Sequence, residues 1–210
     1  MAFRWLYAHV GGYFRRRRYR WLLREFRDCR TVIDLGGTVE SWNSAPERFP
    51  RTTLVNRVPL NGHRLPEGFT YVQADACDSG LDGQPFDLAF SNSAIEHMGT
   101  LERQQAFARE MLRLGRRVYC QTPNRWFPIE PHYLAAFVHW LPLRFFGHYV
   151  HRWLTLQGWA DRPSPEQSRK VRQREAVRLL TRRELRVLFP GCHIRTERFL
   201  LWPKSFVVWR

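Results

Sequence analysis

The chain has 210 residues, which is enough for one domain whose hydrophobic core needs neither disulfides nor a metal. Its formal net charge is +15 at pH 7, and only two of the basic residues are lysines. This charge favours an anionic partner. No run of residues is long and apolar enough to predict a helix that spans a bilayer.

The first 30 residues are interpreted as a basic helical segment. Apolar residues recur at Trp21, Leu22, Leu23 and Phe26 among arginines, a spacing that predicts a helix over 13–30. Because this positive cluster follows the short apolar stretch, we do not expect the segment to be a secretory leader. We therefore expect a cytoplasmic protein, with peripheral contact to the inner membrane surface as a further hypothesis.

Short apolar strands alternate with helices along residues 31–210, which are assigned to one domain. The first four predicted strands are TVIDL (31–35), TTLVN (52–56), TYVQAD (70–75) and FDLAFSN (86–92). The next segment is a predicted helix that starts at a Thr100 cap and ends at Gly115, with its core side at Leu101, Ala106, Met111 and Leu114. This alternation predicts a mainly parallel sheet covered on both faces.

The rest of the chain continues the same pattern after a fifth strand, RRVYCQTP (116–123). Residues 124–165 form an aromatic, proline-punctuated insertion, and helical signals resume over 165–180. A capping box at 181–184 opens a short helix, and two closing strands lie at 193–200 and 205–210.

Ligands of parallel sheets bind outside the carboxyl ends of the strands, so residues at those ends are candidate site residues. Gly36 and Gly37 directly follow the first strand, where a bare backbone allows close approach of a ligand. A dinucleotide site would need G-x-G-x-x-G and an acidic residue at the end of the second strand, where this chain has Asn56. A P-loop is excluded because no Gly-Lys-Ser/Thr follows. S-adenosylmethionine is the remaining candidate for the cofactor.

Four stretches in chain order resemble class I SAM-dependent methyltransferases, in the form of the small bacterial methyltransferase type 11 group. They are VIDLGG, YVQADACD, FDLAFSNSAIEHM and YCQTPNRWFPIEPH, and the closing ERFLLWPKSFVV is also similar to that group. The resemblance covers residues 31–132 and the tail. It implies an α/β fold, a Rossmann-like three-layer sandwich with a mainly parallel seven-stranded sheet, and S-adenosylmethionine as cofactor.

The resemblance also implies a role for each residue at a matching position. The methionine part of the cofactor would be held mostly by backbone at Asp34, Gly36 and Gly37, and the ribose by Asn56. The adenine would be bound by Asp75 and by the backbone of Ala76, with Ser91 and Asn92 beside the reacting methyl. The chain departs from the family at Thr38 and Val39, which replace later glycines, and at Asn56, which replaces an acid.

Methyl transfer needs alignment of nucleophile, carbon and sulfur, and it needs a base only if the nucleophile is a hydroxyl or a protonated amine. Candidates for that base near the strand ends are Glu96, His97, Glu130 and His132. A purely structural role for Glu96 is the alternative, since an acid at a helix start complements the helix dipole. The four cysteines lack CxxC spacing and we predict no metal site.

The aromatic insertion has three interpretations: a lid over the active site, a satellite core, or a membrane-interface segment. Together, the aromatic insertion and the basic first helix favour a small or lipid-like amphipathic acceptor that is methylated at oxygen or nitrogen. They also favour an anionic membrane surface as a further partner. An RNA methyltransferase is one alternative, although no RNA-binding module is appended, so nucleic acid is the less favoured partner. A degenerate protein that binds cofactor or partner without turnover is the other.

Overall fold

The computed structural model describes residues 2–42, 45, 48–60, 62, 64–130, 135–136 and 177–210, with the backbone alone at 2–11, 129–130 and 135–136. The helices are α1 (Ala2–Glu25), α2 (Val39–Trp42), α3 (Leu101–Leu114) and α4 (Arg182–Leu188). The strands of the main sheet are β1 (Thr31–Leu35), β2 (Arg51–Asn56), β3 (Phe69–Gln73), β4 (Phe86–Asn92), β5 (Gly115–Pro123), β8 (His193–Phe199) and β9 (Trp202–Trp209). A small hairpin pairs β6 (Ile129–Glu130) with β7 (Ala135–Ala136), and a 3₁₀ turn covers Ile95–Met98.

The main sheet has seven strands in the order β3-β2-β1-β4-β5-β9-β8. The five strands from β3 to β5 pair in parallel, and β9 pairs antiparallel with both β5 and β8. The predicted mainly parallel seven-stranded sheet is confirmed. This order puts the carboxyl ends of β1, β2, β3, β4 and β5 along one edge, called the carboxyl edge below.

Each face of the sheet is covered by helices, which makes three layers. On one face α3 and α4 contribute residues such as Phe107, Met111 and Leu185 to the core. On the other face Leu22 of α1 and Phe26, the residue after α1, are buried against β1, β4 and β5. Burial of side chains of this size stabilises the fold by about 1.5–3 kcal/mol each.

The first helix begins earlier and ends earlier than the predicted 13–30, since it covers Ala2–Glu25. The helix ends at Glu25 because a residue of β4 holds the chain that follows it. The carboxylate of Asp87 accepts hydrogen bonds at 2.9 Å from the backbone N–H groups of both Arg30 and Thr31, which fixes them as the entry to β1. Among the described helices, none is long and apolar enough to cross a membrane.

The predicted helix after β4 is confirmed with its Thr100 cap, whose side chain accepts from the N–H of Arg103. Its predicted core side is wrong at Leu101, which is 37% exposed, because Gln104 is buried there instead. The Gln104 amide donates to the carbonyls of Ile95 and Arg178, so the buried face of the first turns of the helix makes polar contacts.

Gly115 ends the helix and begins β5 without a linker. A Cβ at this position would lie 2.5 Å from the backbone nitrogen of Ala89, so no larger residue fits. Of the predicted helix over 165–180, residues 165–176 lie outside the described part of the chain and 177–180 are not helical. The domain boundaries drawn from the sequence, at residue 30 and around 124–165, stay predictions.

Candidate cofactor site at the carboxyl edge of the sheet

The turn after β1 is a tightly packed glycine corner formed by Gly36 and Gly37. Gly36 has φ +81°, and a Cβ there would lie 2.6 Å from the Cβ of Ala94. A Cβ on Gly37 would lie 2.2 Å from the Asp34 carboxylate oxygen Oδ2. The two N–H groups donate to Val55 O and Asp34 O respectively. The glycines are therefore needed for the turn itself, whatever ligand lies outside it.

Asp34 lies beneath this corner and is almost completely buried, with 2% of its surface exposed. Its Oδ2 accepts a hydrogen bond of 2.8 Å from the indole N–H of Trp42, at the end of α2. Burial raises the pKa of Asp34 to about 7, although the Trp42 hydrogen bond acts in the opposite direction. A carboxylate with this pKa can change its charge near neutral pH.

Asn56 ends β2 and points at the glycine corner. Its Nδ2 donates to the carbonyl oxygens of Gly36 at 3.3 Å and Gly37 at 3.1 Å, while its Oδ1 accepts from the N–H of Val58 at 3.1 Å. An ionised carboxylate has no proton to donate, so Asp or Glu could not form the first two contacts. The amide that looked like a departure from the family therefore braces the turn.

Asp75 lies two residues beyond the end of β3. Its two carboxylate oxygens both lie 2.9 Å from Nη2 of Arg103 in the first turn of α3, and Oδ1 also accepts from the Cys77 N–H. Partial burial raises the pKa of Asp75, but the Cys77 and Arg103 contacts outweigh it and the pKa lies below its ordinary value. Asp75 is thus a persistent anion whose side chain is 31% exposed.

Ala76, the other predicted adenine contact, is 5% exposed and packs in the core under α3. Arg103 was missed by sequence reasoning. The signal that could have found it is its position in the first turn of the helix after β4, next to the end of β3.

The end of β4 contributes Ser91 and Asn92, which are both at the carboxyl edge. The hydroxyl of Ser91 is buried and donates to the carbonyl of Leu35 at 3.0 Å, which ties β4 to β1. Asn92 is half-buried and lies opposite Gln121 of β5. The next residue, Ser93, has φ 58° and bonds Gln121 through its hydroxyl at 2.8 Å and through its N–H at 2.9 Å. Ser93 and Gln121 were not predicted from the sequence.

The two neighbouring candidates for a base lie in opposite environments. Glu96 has no exposed surface, and its Oε2 accepts from the hydroxyl of Thr122 at 3.0 Å. His97 is exposed. Contact with an acceptor is therefore open to His97 and not to Glu96, whose burial favours a role in positioning the end of β5.

The structure does not describe the side chains of the other two candidates for a base. His132 lies outside the described residues, and of Glu130 only the backbone, in β6, is described. No group of three or more metal-ligating side chains occurs in the described part of the chain.

Residues 50–117 match the family model described as a methyltransferase domain, which spans β2 to the start of β5. No curated protein matches the chain. The family match lies on the strands that carry Asn56, Asp75, Ser91 and Asn92.

Solved structures share the fold at low sequence identity. SAM-bound CalS10, an amino pentose methyltransferase from Micromonospora echinaspora, aligns with TM-score 0.57 and 18% identity over 97% of this chain and 95% of its own. The 1,6-didemethyltoxoflavin-N1-methyltransferase of Burkholderia thailandensis, with bound S-adenosylhomocysteine, aligns with TM-score 0.55 and 16% identity over 93% and 76%. The N-methyltransferase NodS from Bradyrhizobium japonicum WM9 aligns with TM-score 0.51 and 7% identity over 92% and 93%. The match of residues 50–117 to a methyltransferase domain agrees with the resemblance noted in the sequence, and the solved structures share the fold.

Proposed function

We propose that this chain is a class I S-adenosylmethionine-dependent methyltransferase that methylates an oxygen or a nitrogen of a small-molecule acceptor. The observation that carries the proposal is the glycine corner at the carboxyl edge, closed from below by Asp34 and braced by Asn56. It adjoins the end of β4, where Ser91 is tied to the end of β1. Three strand ends thus converge on one short stretch of backbone.

The residues at this edge fit the cofactor. The corner keeps side chains away from its backbone, since any Cβ at Gly36 or Gly37 would collide with protein atoms. Asp75 keeps 31% of its side chain exposed and has lone pairs beyond those that Arg103 uses, so it can accept from the adenine amino group. When bound, S-adenosylmethionine supplies a methyl group already activated by positive sulfur.

The roles proposed for the chain's own residues are binding and orientation. Gly36, Gly37 and Asn56 would hold the methionine and ribose parts, and Ala76 would offer its backbone beside Asp75. Asn92 and the backbone of Ser91 would flank the reacting methyl, where water must be excluded for in-line displacement, while the buried Ser91 hydroxyl holds the end of β4 against β1. His97 is the described candidate that could take a proton from a hydroxyl or ammonium acceptor, because it is exposed at the same edge.

The acceptor class is supported by what the structural neighbours act on. CalS10 is an amino pentose methyltransferase, and the Burkholderia enzyme is a 1,6-didemethyltoxoflavin-N1-methyltransferase, as their names state. A lipid-like or amphipathic acceptor is a narrower form of the proposal that depends on the aromatic insertion, most of which lies outside the described residues.

Calorimetric titration of the purified chain with S-adenosylmethionine tests the proposal first. We expect binding, and we expect Asp75→Asn to weaken it. Formation of S-adenosylhomocysteine with a small-molecule extract, but not with buffer, then tests turnover. Absence of cofactor binding would overturn the proposal, and binding without turnover would favour the degenerate alternative.

A further inference from the structure

A groove of about 790 Å³ lies between α1 and the edge strand β8, outside the cofactor site. One wall comes from the second half of α1 and the other from β8. The residues that line it include six arginines and one glutamate: Arg17, Arg18, Arg20, Arg24, Arg195, Arg198 and Glu197. We call it the arginine groove. Its charge is strongly positive, and a concave site concentrates such a field.

Most of this positive charge has no counter-ion among the described residues. Of the six arginines, only Arg18 forms an ion pair with a described carboxylate, at 3.6 Å from Glu197. Glu197 also accepts a hydrogen bond of 2.6 Å from the hydroxyl of Ser205, so its charge is shared. The other five guanidinium groups therefore bring charge to the groove that no described carboxylate neutralises.

The end of the groove near Phe14 is also net positive, although it holds the one ion pair described above. The Arg18 side chain is only 11% exposed, and its buried Nε has no hydrogen-bond partner within the described residues. Lys204 lies beside it, with Nζ 4.6 Å from the centre of the Phe14 ring. Burial lowers the pKa of Lys204 to about 8, and the nearby Arg18 acts in the same direction against the pull of Glu197. Two crowded cations and one shared carboxylate leave a net positive charge here.

The shape of the groove indicates a small ligand. Its volume lies within the range of roughly 300–1,000 Å³ that is typical of small-molecule sites. Its length along α1, from Tyr13 to Arg24, is about 16 Å at 1.5 Å per residue. Opposed walls can hold one ligand from both sides, whereas a flat membrane surface would contact only one. Tyr13 is 52% exposed, so one ring is available for an organic part of the ligand, whereas Arg195 covers the ring of Trp21 at 5.3 Å.

The groove ends at the carboxyl edge of the sheet. Glu197 pairs in register with Ser205, and Ser205 pairs with Pro123 at the end of β5. One strand further, Asn92 lies opposite Gln121. Three strand spacings, about 14 Å across the sheet, therefore separate the β8 wall of the groove from the end of β4.

We infer that the arginine groove binds a small organic anion with two or more negative charges, of the phosphate-ester or diphosphate class, and that this anion is the charged part of the acceptor. The second half of this inference rests on the proposed function. Arginine suits such a ligand because its planar fork donates two parallel hydrogen bonds to phosphate oxygens. An anion bound here would extend its other end toward the methyl donor.

Titration with inorganic pyrophosphate tests the groove without any acceptor. The β8-wall variant is Arg195→Gln/Arg198→Gln and the α1-wall variant is Arg20→Gln/Arg24→Gln. The control is Arg109→Gln/Arg183→Gln, which removes the same charge from exposed positions on α3 and α4. We expect both groove variants to lose at least tenfold in affinity and the control to stay within twofold of the parent. Circular dichroism and cofactor binding check that each variant is folded.

Equal losses in all three variants would mean that net charge alone binds pyrophosphate, and they would overturn the inference. So would absence of pyrophosphate binding by a parent chain that binds S-adenosylmethionine. Binding to phosphatidylserine vesicles or to single-stranded RNA that depends on the groove arginines, with no pyrophosphate binding, would assign the groove to a macromolecular surface instead.

A second experiment tests the link to the acceptor. A small-molecule extract of the organism that encodes the chain is fractionated on an anion-exchange resin at neutral pH, and each fraction is assayed for S-adenosylhomocysteine formation. We expect activity in retained fractions, reduced at limiting extract by the groove variants and unchanged by the control. Activity confined to unretained fractions would overturn the inference while leaving methyl transfer intact. Loss of cofactor binding in the parent chain would instead be a failure of the proposed function.

Discussion

The side-chain nitrogen of Asn56 lies 3.1 Å from the carbonyl oxygen of Gly37, so the end of β2 holds the turn at the end of β1 in place. An amide can donate this bond and a carboxylate cannot. The contact gives Asn56 a structural role that its place at the expected ribose position did not reveal.

Asn56→Asp is expected to destabilise the fold. The carboxylate could not donate the two hydrogen bonds to the glycine carbonyls, and its negatively charged oxygens would repel the carbonyl oxygens. We expect the free energy of unfolding to fall by about 1–3 kcal/mol. We expect a lower Tm and weaker binding of S-adenosylmethionine. Gln73→Glu is the matched control, since Gln73 lies beside Asn56 in register and is exposed. Tighter cofactor binding by Asn56→Asp at unchanged Tm would show that contact with the ribose, and not bracing of the turn, is the main role of this side chain.

A double-mutant cycle of Asp75→Asn and Arg103→Gln separates ligand binding from the ion pair. Both side chains are partly exposed, at 31% and 40%, so we expect a coupling of only about 0.5–1 kcal/mol in unfolding free energy. Asp75→Asn should weaken S-adenosylmethionine about tenfold, equivalent to about 1.4 kcal/mol. Arg103→Gln should change this affinity little, because the carboxylate remains. Equal losses in both variants would make the intact ion pair, and not Asp75 itself, the requirement for binding.

The buried carboxyl of Asp34 predicts a pH-dependent stability. Its pKa rises from 3.8, the ordinary value for a solvated aspartate, to about 7 in the fold, so between these values the folded chain holds a proton that the unfolded chain has lost. By linkage, this group makes stability fall as pH rises from about 4 to 7 and adds no further slope above 7. Asp34→Asn should remove that slope, measured as Tm at half-unit steps of pH.

The same group should make cofactor affinity depend on pH. A cationic cofactor next to the corner favours the ionised carboxylate, so binding of S-adenosylmethionine should strengthen as pH rises through 7 in the parent chain. Asp34→Asn should bind with a flat profile. A parent chain with constant affinity from pH 6 to 8 would contradict this prediction.

Glu96 and His97 are expected to give different kinds of defect. Glu96 accepts from Thr122 in the interior, so Glu96→Ala should lower stability by about 1–3 kcal/mol through loss of a buried hydrogen bond. His97→Gln should leave Tm unchanged and, for a hydroxyl or ammonium acceptor, lower the rate of methyl transfer and flatten its pH profile. Single-turnover formation of S-adenosylhomocysteine measures the rate, and a normal rate with His97→Gln would remove it as a base.

Much of the sheet could be predicted because its strands are short, apolar and bounded by turn residues. β1 and β4 have the bounds predicted for them, since each is a buried run that ends at a polar residue or a glycine turn. The end of α1 could not be predicted, because it is set by Asp87, which lies more than fifty residues further along the chain. Periodicity within a helix carries no information about such a partner.

The sequence predicted where the residues of the candidate site lie, but it did not predict which side chains they contact. The sequence placed Asp34, Asn56, Asp75 and Asn92 at strand ends, and all four lie at or just beyond the ends of neighbouring strands. The partners Trp42 and Arg103 could not be identified, because a pairing between separate elements depends on how each element is rotated. The role of Gly37 beside Asp34 likewise appears only once the turn is built.

The packing of α1 against the sheet has a practical consequence for handling this protein. Trimming the arginine-rich start to reduce non-specific adsorption would strip Tyr19, Leu22 and Phe26 from the sheet and leave Phe90 and Tyr119 facing solvent. A shortened expression clone would then be expected to precipitate or to need detergent. The charge of this stretch is better lowered by substitution of exposed arginines such as Arg16. Such variants keep the helix and reduce non-specific adsorption.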